Sequence, residues 1–161
     1  MYSRFEALKK YDLEKIQAST VAIVGLGATG SVMAEHLARH GVNLVLVDRD
    51  YLEMNDLYSS NLYSRDQCES ALPKAKAAEE KLEEMTRAEA FVENLDSSNM
   101  DLLEEADVIL DGTDNLETRL MIDEYASEND IPWIYTAALG EKGFSMFVEE
   151  NCFRCIFERT D

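Results

Sequence analysis

The sequence predicts an α/β fold in which a doubly wound, mostly parallel sheet carries helices on both faces. Strand-like segments alternate with helical segments along the 161 residues, an order typical of βαβ units. Several of the strand-like segments are apolar throughout, which is typical of strands that are buried on both faces. No repeat or low-complexity linker interrupts this alternation, so residues 1–161 are expected to form one domain.

Each element in the first part of the chain has a local signal. Short apolar runs predict buried strands, and apolar residues near helical spacing predict helices. Polar and aromatic residues without either period predict a loop. These signals predict a helical arm at 1–19, a strand at 20–24, a helix at 30–41, a strand at 43–47 and a loop with short helical turns at 49–72.

The second part of the chain continues the alternation. Pro73 stands at the first turn of a strongly helical segment, where its missing N–H costs nothing. The predicted elements are a helix at 73–87, a strand at 88–95, a short helix at 101–106, a strand at 107–111, a helix at 115–130 and strands at 132–139 and 143–151.

The chain is strongly acidic, with 33 Asp and Glu against 15 Lys and Arg and a net charge of −18. Such a surface repels nucleic acid and anionic membranes. Because the acidic residues are spread along the chain, they favour adaptation to high salt over attraction of a basic partner. No apolar run approaches the roughly 20 residues of a membrane span, and the N-terminus lacks the apolar core of a signal peptide. We therefore expect a cytoplasmic protein.

The segment "VAIVGLGATG" places Gly25, Gly27 and Gly30 between a predicted strand and a predicted helix. In this context the first glycine permits a tight turn, the second lets the backbone approach a phosphate, and the third allows close packing. The helix N-terminus offers N–H groups to an anion. Asp48 ends the second strand, where a carboxylate accepts hydrogen bonds from ribose. The pattern predicts a Rossmann-like nucleotide site and leaves NAD and ATP open.

Two later segments carry charges suited to a nucleoside triphosphate. Lys74 begins a helix directly after Pro73, a position suited to a phosphate but also to an ordinary surface lysine. In "VILDGTDNLETR", Asp114 follows a predicted strand and is a candidate Mg²⁺ ligand. Asp114 or Asn115 is equally suited to cap the next helix, and the two roles do not exclude each other.

The segment "CFRC" supplies two thiolates, Cys152 and Cys155. A structural zinc site needs four ligands, and no second pair of cysteines is present in the sequence. From the residues alone, half of a zinc site and, less favoured, a redox CxxC pair both stay open.

Taken in order, these segments resemble the ThiF/MoeB/HesA family of adenylating enzymes, relatives of the ubiquitin-activating enzymes. The resemblance covers nearly the whole chain, and the ordered set is far more specific than the glycine motif alone. It is carried by "YSR", "STVAIVGLGATGS", "LVLVDRDYLE", "LPKAKAAEEKL", "DVILDGTDNLETR", "IPWIYTAALGEKG" and "CFRC".

The resemblance implies Mg²⁺-dependent transfer of AMP from ATP to the C-terminal glycine carboxylate of a small ubiquitin-like or sulfur-carrier protein. It also implies a dimer, and a groove for the carrier's Gly-Gly tail beside residues 136–143. The implied roles are ATP binding for Gly25, Gly27, Asp48 and Lys74, organisation of Mg²⁺ and phosphates for Asp114 and Asn115, and contact with the ATP of the other subunit for Arg4.

Two positions depart from the family pattern within the nucleotide site. Asp56 and Ser59 stand where the family usually has Asn and Arg. Loss of a phosphate-facing arginine removes a charge-assisted hydrogen bond of roughly 1.5–3 kcal/mol, and an added carboxylate near phosphate opposes binding further. Phe5 also replaces the glutamine expected after Arg4. We therefore expect adenylation to be weak or the site to work differently.

The family fold continues beyond the point where this sequence ends. Members carry a crossover segment, often an acceptor cysteine, and a second CxxC pair. We expect this chain to be the N-terminal part of a truncated or split enzyme, completed by a second polypeptide that supplies the remaining zinc ligands. Cys68 is predicted to be incidental, so no acceptor cysteine is evident.

Three functions remain for comparison. The first is an adenylating enzyme or its nucleotide-binding half. The second is a non-catalytic, nucleotide-binding partner subunit of a heteromeric activating enzyme, which Asp56 and Ser59 favour. The third is an NAD-dependent oxidoreductase, disfavoured because no acid–base pair for hydride transfer is apparent in the sequence.

Overall fold

A single six-stranded sheet organises the chain. The computed structural model describes residues 12–149 and 153–154. The strands are β1 (Thr20–Val24), β2 (Asn43–Val47), β3 (Ala88–Phe91), β4 (Val108–Asp111), β5 (Trp133–Leu139) and β6 (Lys142–Val148). Their order across the sheet is β3-β2-β1-β4-β5-β6. Strands β1 to β5 are parallel, and β6 is antiparallel to β5. The predicted doubly wound α/β fold is confirmed.

Within the described residues, six helices and one 3-10 turn accompany the strands. They are α1 (Leu13–Ala18), α2 (Ala28–Ala38), α3 (Asp56–Ser59), α4 (Arg65–Glu69), α5 (Lys74–Leu82), the 3-10 turn (Met100–Leu103) and α6 (Leu116–Glu128). The stretch predicted as loop with short helical turns contains α3 and α4. Within the described part of the chain, no helix is long and apolar enough to span a membrane.

Several element boundaries differ from the predicted ones, and three of the differences have a structural reason. Helix α2 begins at Ala28 because Gly27 is its N-cap. Helix α5 ends at Leu82, and the Thr86 hydroxyl then donates to the Val42 carbonyl at 2.9 Å as the chain turns towards β3. Strand β3 ends at Phe91 because its only partner strand among the described residues, β2, ends at Val47, directly opposite Phe91.

The sheet has an apolar core on each face because alternate strand residues point to opposite sides. On one face, Ile23 and Leu46 pack with small residues of α2 and α5, among them Ala34 and Ala78. On the other face, buried residues of β1, β2 and β5 pack against α6 and the 3-10 turn. These residues include Ala22, Val24, Val45, Val47, Leu103, Ile122 and Trp133.

The carboxyl ends of three neighbouring strands meet at one edge of the sheet. Val24 of β1 lies in register with Val47 of β2 and with Asp111 of β4. The glycine loop, Asp48 and the segment after Asp111 therefore emerge side by side. This edge is where ligands bind in open parallel sheets.

Candidate nucleotide-binding site

A cleft of about 1050 Å³ opens at this edge of the sheet. Its walls are the glycine loop, the ends of β2 and β4, the start of α5 and the β5–β6 hairpin. The predicted site residues that line it are Gly25, Gly27, Asp48, Lys74, Asp114 and Asn115. Asp56 and Ser59 are not among the lining residues, and Arg4, Cys152 and Cys155 lie outside the described residues.

Two glycines of the motif are required by close backbone packing. Gly25 has a φ of +85°, and a Cβ there would lie 2.9 Å from the backbone of Gly112. A Cβ on Gly30 would lie 1.8 Å from the Gly25 carbonyl oxygen, and a Cβ on Gly112 would lie 2.5 Å from the same oxygen. Gly112 was assigned no role from the sequence, although it directly follows a strand, as Gly25 does.

Gly27 differs from these glycines because it faces open space. No atom lies within 4 Å of the position that its Cβ would occupy, and the residue lines the cleft. Its N–H has no hydrogen-bond acceptor within the described residues. As the N-cap of α2, it makes no side-chain capping bond. An unpaired backbone donor at a helix N-terminus is suited to an anion.

Asp48 lies beside this loop and is held by two backbone groups. Its Oδ2 accepts the Leu26 N–H at 2.6 Å, and its Oδ1 accepts the Asp50 N–H at 2.7 Å. Burial raises the pKa of the Asp48 carboxyl, and these N–H groups together with the Lys74 charge oppose the rise. Because each carboxylate oxygen accepts more than one hydrogen bond, Asp48 retains capacity for ribose hydroxyls.

Lys74 reaches the cleft with its ammonium already paired. Its Nζ lies 3.2 Å from Asp56 Oδ1, and the two side chains are only 14% and 15% exposed. Asp56 is itself fixed, since its Oδ2 accepts the Glu53 N–H at 2.8 Å. Ser59 turns away, and its hydroxyl donates to the Asp56 carbonyl at 3.3 Å. Asp56, one of the two positions that depart from the family pattern, therefore contacts Lys74 and does not line the cleft itself.

Two roles were predicted for Asp114 and Asn115, helix capping and cation binding, and each residue is suited to one of them. Asn115 caps α6, where its side-chain oxygen accepts the Glu117 N–H at 2.9 Å. Asp114 is exposed and lines the cleft. Among the described residues it makes no hydrogen bond or ion pair, so its carboxylate is available to a cation.

Arg119 was assigned no role from the sequence, yet its side chain lies at the cleft wall and is only 11% exposed. Its Nε donates to Asp111 Oδ2 at 2.9 Å, and a second nitrogen donates to the carbonyls of Thr113 and, at 3.2 Å, Thr136. The guanidinium also lies 4.9 Å from the centre of the Tyr135 ring. Its place one turn into the helix after a strand-ending aspartate is the signal that could have identified it.

Asp111 is the buried partner of this arginine and is 0% exposed. Burial raises the pKa of the Asp111 carboxyl, and the hydrogen bonds from Thr113 and the charge of Arg119 oppose the rise. The Thr113 N–H and hydroxyl donate to the same oxygen at 2.9 and 2.6 Å. The pair therefore ties β4, β5 and α6 together beneath the cleft.

No group of three or more His, Cys, Asp or Glu in residues 12–149 and 153–154 is placed to hold a metal ion. Since Cys152 and Cys155 fall outside these ranges, the zinc half-site stays a prediction. Phe153, between them, is buried against Trp133, with ring centres 4.9 Å apart.

Comparison with known proteins finds a matching family and relatives of similar sequence. The sequence model of the ThiF family matches residues 2–161. The sulfur carrier protein ThiS adenylyltransferase of Bacillus subtilis is 33% identical over 153 residues, which cover 90% of this chain and 46% of that protein. The molybdopterin-synthase adenylyltransferase of Haemophilus influenzae is 33% identical over 160 residues, covering 92% of this chain and 64% of that protein. This chain therefore spans only part of the length of these relatives.

Solved structures share the fold. The crystal structure of selenomethionine PaaA superposes with a TM-score of 0.71 at 26% identity, covering 78% of this chain and 40% of that one. Escherichia coli MccB with succinimide gives a TM-score of 0.72 at 21% identity, covering 80% and 40%. At that identity the second likeness supports the fold alone.

Proposed function

This chain belongs to the ThiF family, and from that premise we propose that it is the nucleotide-binding part of an adenylating enzyme. The proposed substrates are Mg·ATP and the C-terminal glycine carboxylate of a small sulfur-carrier or ubiquitin-like protein. The relatives from B. subtilis and H. influenzae, both named adenylyltransferases, support the reaction class. The observation that carries the proposal is the Gly27 N–H, which has no acceptor among the described residues and lines one cleft together with Asp48 and Lys74.

In the proposed reaction the carrier carboxylate attacks the α-phosphorus of ATP, an O–P bond forms, and pyrophosphate leaves. This step needs alignment and charge neutralisation rather than a protein nucleophile. The Gly27 N–H and the start of α2 bind phosphate, Asp48 binds the ribose, and the Lys74 ammonium stabilises the charge on the departing pyrophosphate. The cleft extends to β5 and β6, so the carrier tail would approach along residues 136–143.

A magnesium ion would be held by Asp114 together with phosphate oxygens. The exposed carboxylate of Asp114, unpaired within the part of the chain that the structure describes, suits a hard cation that keeps much of its own water. When bound, the ion supplies neutralising charge to the triphosphate. We extend the proposal to a dimer in which Arg4 reaches the other subunit's ATP, and to a zinc site on Cys152 and Cys155 that is completed by a further segment or chain.

A non-catalytic, nucleotide-binding partner subunit is the second candidate. The Lys74–Asp56 ion pair favours it, because a carboxylate 3.2 Å from the ammonium offsets the positive charge that a triphosphate requires. Ser59 supplies no replacement for the missing charge, because its hydroxyl is bonded to the backbone. The two candidates share nucleotide binding and differ in turnover.

ATP–pyrophosphate exchange separates the candidates. The assay contains Mg²⁺ and a carrier protein ending in Gly-Gly, at low and at molar salt, with and without any C-terminal half. We expect exchange, and a loss of at least about 100-fold in Lys74→Ala and in Asp114→Ala, by analogy with removal of other groups that stabilise transition-state charge. Lys81→Ala, an exposed lysine on the same helix, is the matched control and should keep full activity.

Other outcomes assign the function differently. ATP binding without exchange under all conditions would support the partner-subunit candidate. A chain that binds no ATP, or prefers NAD, would contradict both candidates.

A further inference from the structure

One residue of the glycine loop, Leu26, is held through both of its backbone polar groups by side chains from distant parts of the sequence. The Leu26 N–H donates to Asp48 Oδ2 at 2.6 Å. The Leu26 carbonyl accepts the Tyr63 hydroxyl at 2.7 Å. The Leu26 side chain is also fully buried, which restricts its movement within the loop.

The bond from Tyr63 has a geometric consequence for the next residue. The carbonyl of Leu26 and the N–H of Gly27 belong to one trans peptide, in which the two groups point in opposite directions. A hydroxyl that holds the carbonyl on the interior side therefore turns the Gly27 N–H the opposite way. Gly27 lines the cleft, and its N–H has no acceptor within the described residues.

Tyr63 is well fixed for such a role. It is 6% exposed, and it precedes Ser64, which forms a capping box with Gln67 at the start of α4. Burial raises the pKa of the Tyr63 hydroxyl, and the negative charges of Asp48 and Asp56 raise it further. The hydroxyl therefore stays protonated and keeps its donor at any working pH.

We propose that Tyr63 is a positioning residue of the nucleotide site, whose hydroxyl orients the Leu26–Gly27 peptide so that the Gly27 N–H is presented to a phosphate. The inference rests on the proposed function for the identity of the ligand. It predicts that Tyr63 matters to the phosphate groups of the nucleotide and not to its adenosine.

The test compares ATP and adenosine binding by calorimetry in the wild type, in Tyr63→Phe and in Tyr58→Phe. Phenylalanine keeps the ring and removes only the hydroxyl. Tyr58 is 90% exposed and serves as the matched control. In Tyr63→Phe we expect ATP to bind about tenfold more weakly, the size of one lost hydrogen bond in a dry site, and adenosine to bind within about twofold. Unchanged ATP affinity, or an equal loss for ATP and adenosine, would overturn the inference.

A second readout needs no nucleotide. Hydrogen exchange of the Leu26 amide, protected by Asp48, should accelerate at least about fivefold in Tyr63→Phe relative to any change in global stability from urea unfolding. The Leu26 N–H belongs to the preceding peptide, so its exchange reports whether the loop at Leu26 stays fixed without the Tyr63 hydroxyl. Unchanged protection would show that it does, and would count against the positioning role. Absence of ATP binding by the wild type would instead contradict the proposed function, while the exchange result would still decide whether Tyr63 fixes the loop at Leu26.

Discussion

Arg119 and Lys74 both line the cleft, and their surroundings differ. Arg119 donates to the buried carboxylate of Asp111 and to the carbonyls of Thr113 and Thr136, and its plane packs on Tyr135. Lys74 contacts one carboxylate, that of Asp56, at 3.2 Å. Both cations are therefore paired, but only Arg119 uses most of its hydrogen-bonding capacity on the protein.

The difference shows what makes a cation available to a phosphate. A guanidinium has five N–H donors in a rigid plane, and at Arg119 that plane is fixed by three acceptors and a ring. An ammonium has three donors that rotate, and at Lys74 one carboxylate occupies one of them within the described residues. Position on the cleft wall is thus not sufficient for binding, because unsatisfied donors are also needed. We infer that Arg119 has a structural role at the cleft wall and that Lys74 binds the phosphates of the ligand.

The largest expected effect is on stability, in Arg119→Ala. The substitution leaves Asp111 buried without its cation, and breaking such a pair typically costs about 3–5 kcal/mol. Urea unfolding measures the change in the free energy of unfolding. Arg65→Ala is the control, since its pair with Glu69 is long and exposed, and we expect a change within about 0.5 kcal/mol. A loss below about 1 kcal/mol in Arg119→Ala would break the comparison.

The same variant should respond to pH in a defined direction. Burial already raises the pKa of Asp111, and removal of the Arg119 charge, which opposes that rise, raises it further. A carboxyl whose pKa is higher in the folded state favours folding below its unfolded pKa, and this contribution is lost as pH rises through the folded pKa. The stability deficit of Arg119→Ala should therefore shrink towards acid pH, and a deficit that grows on acidification would contradict this assignment.

Lys74→Ala should lower activity far more than it lowers stability. Asp56 keeps the bond from the Glu53 N–H when the lysine is removed, and Asp111 is more deeply buried than Asp56, so we expect a loss of roughly 1–3 kcal/mol in stability, below that in Arg119→Ala. Pyrophosphate exchange should nevertheless disappear. Parallel urea unfolding and exchange assays of Lys74→Ala and Arg119→Ala test the separation. A stability loss in Lys74→Ala as large as that in Arg119→Ala would show that both cations are structural.

The smallest expected effect is in Asp56→Asn, which removes the carboxylate from the lysine. Because a negative charge near the triphosphate is lost, we expect ATP to bind several-fold more tightly, equivalent to roughly 1 kcal/mol of binding free energy. Glu53→Gln, an exposed carboxylate on the same segment, is the control with the same change in net charge. Weaker ATP binding in Asp56→Asn would show that Asp56 holds Lys74 in a productive position.

The sequence determined the framework of this protein because its signals are local. Apolar runs and helical spacing predicted every strand of the described sheet and the connecting helices, since each depends on residues close together in the chain. The order of the elements brought Gly27, Asp48, Lys74 and Asp114 to one edge, because the carboxyl ends of parallel strands meet there. The roles of these residues stay predictions until the binding and exchange assays are done.

The tertiary structure decided which polar groups are satisfied. Tyr63 reaches Leu26, Asp56 reaches Lys74, and Arg119 reaches Thr136, and none of these pairs shares a secondary-structure element. The close contact of Gly112 with the glycine loop is of the same kind. A hydrogen bond forms between groups that the fold brings within about 3 Å, whatever their distance along the chain. Such long-range pairs cannot be read from a local sequence pattern. The sequence therefore predicted where the charged residues lie, and only the packed structure determined which of them remain available to a ligand.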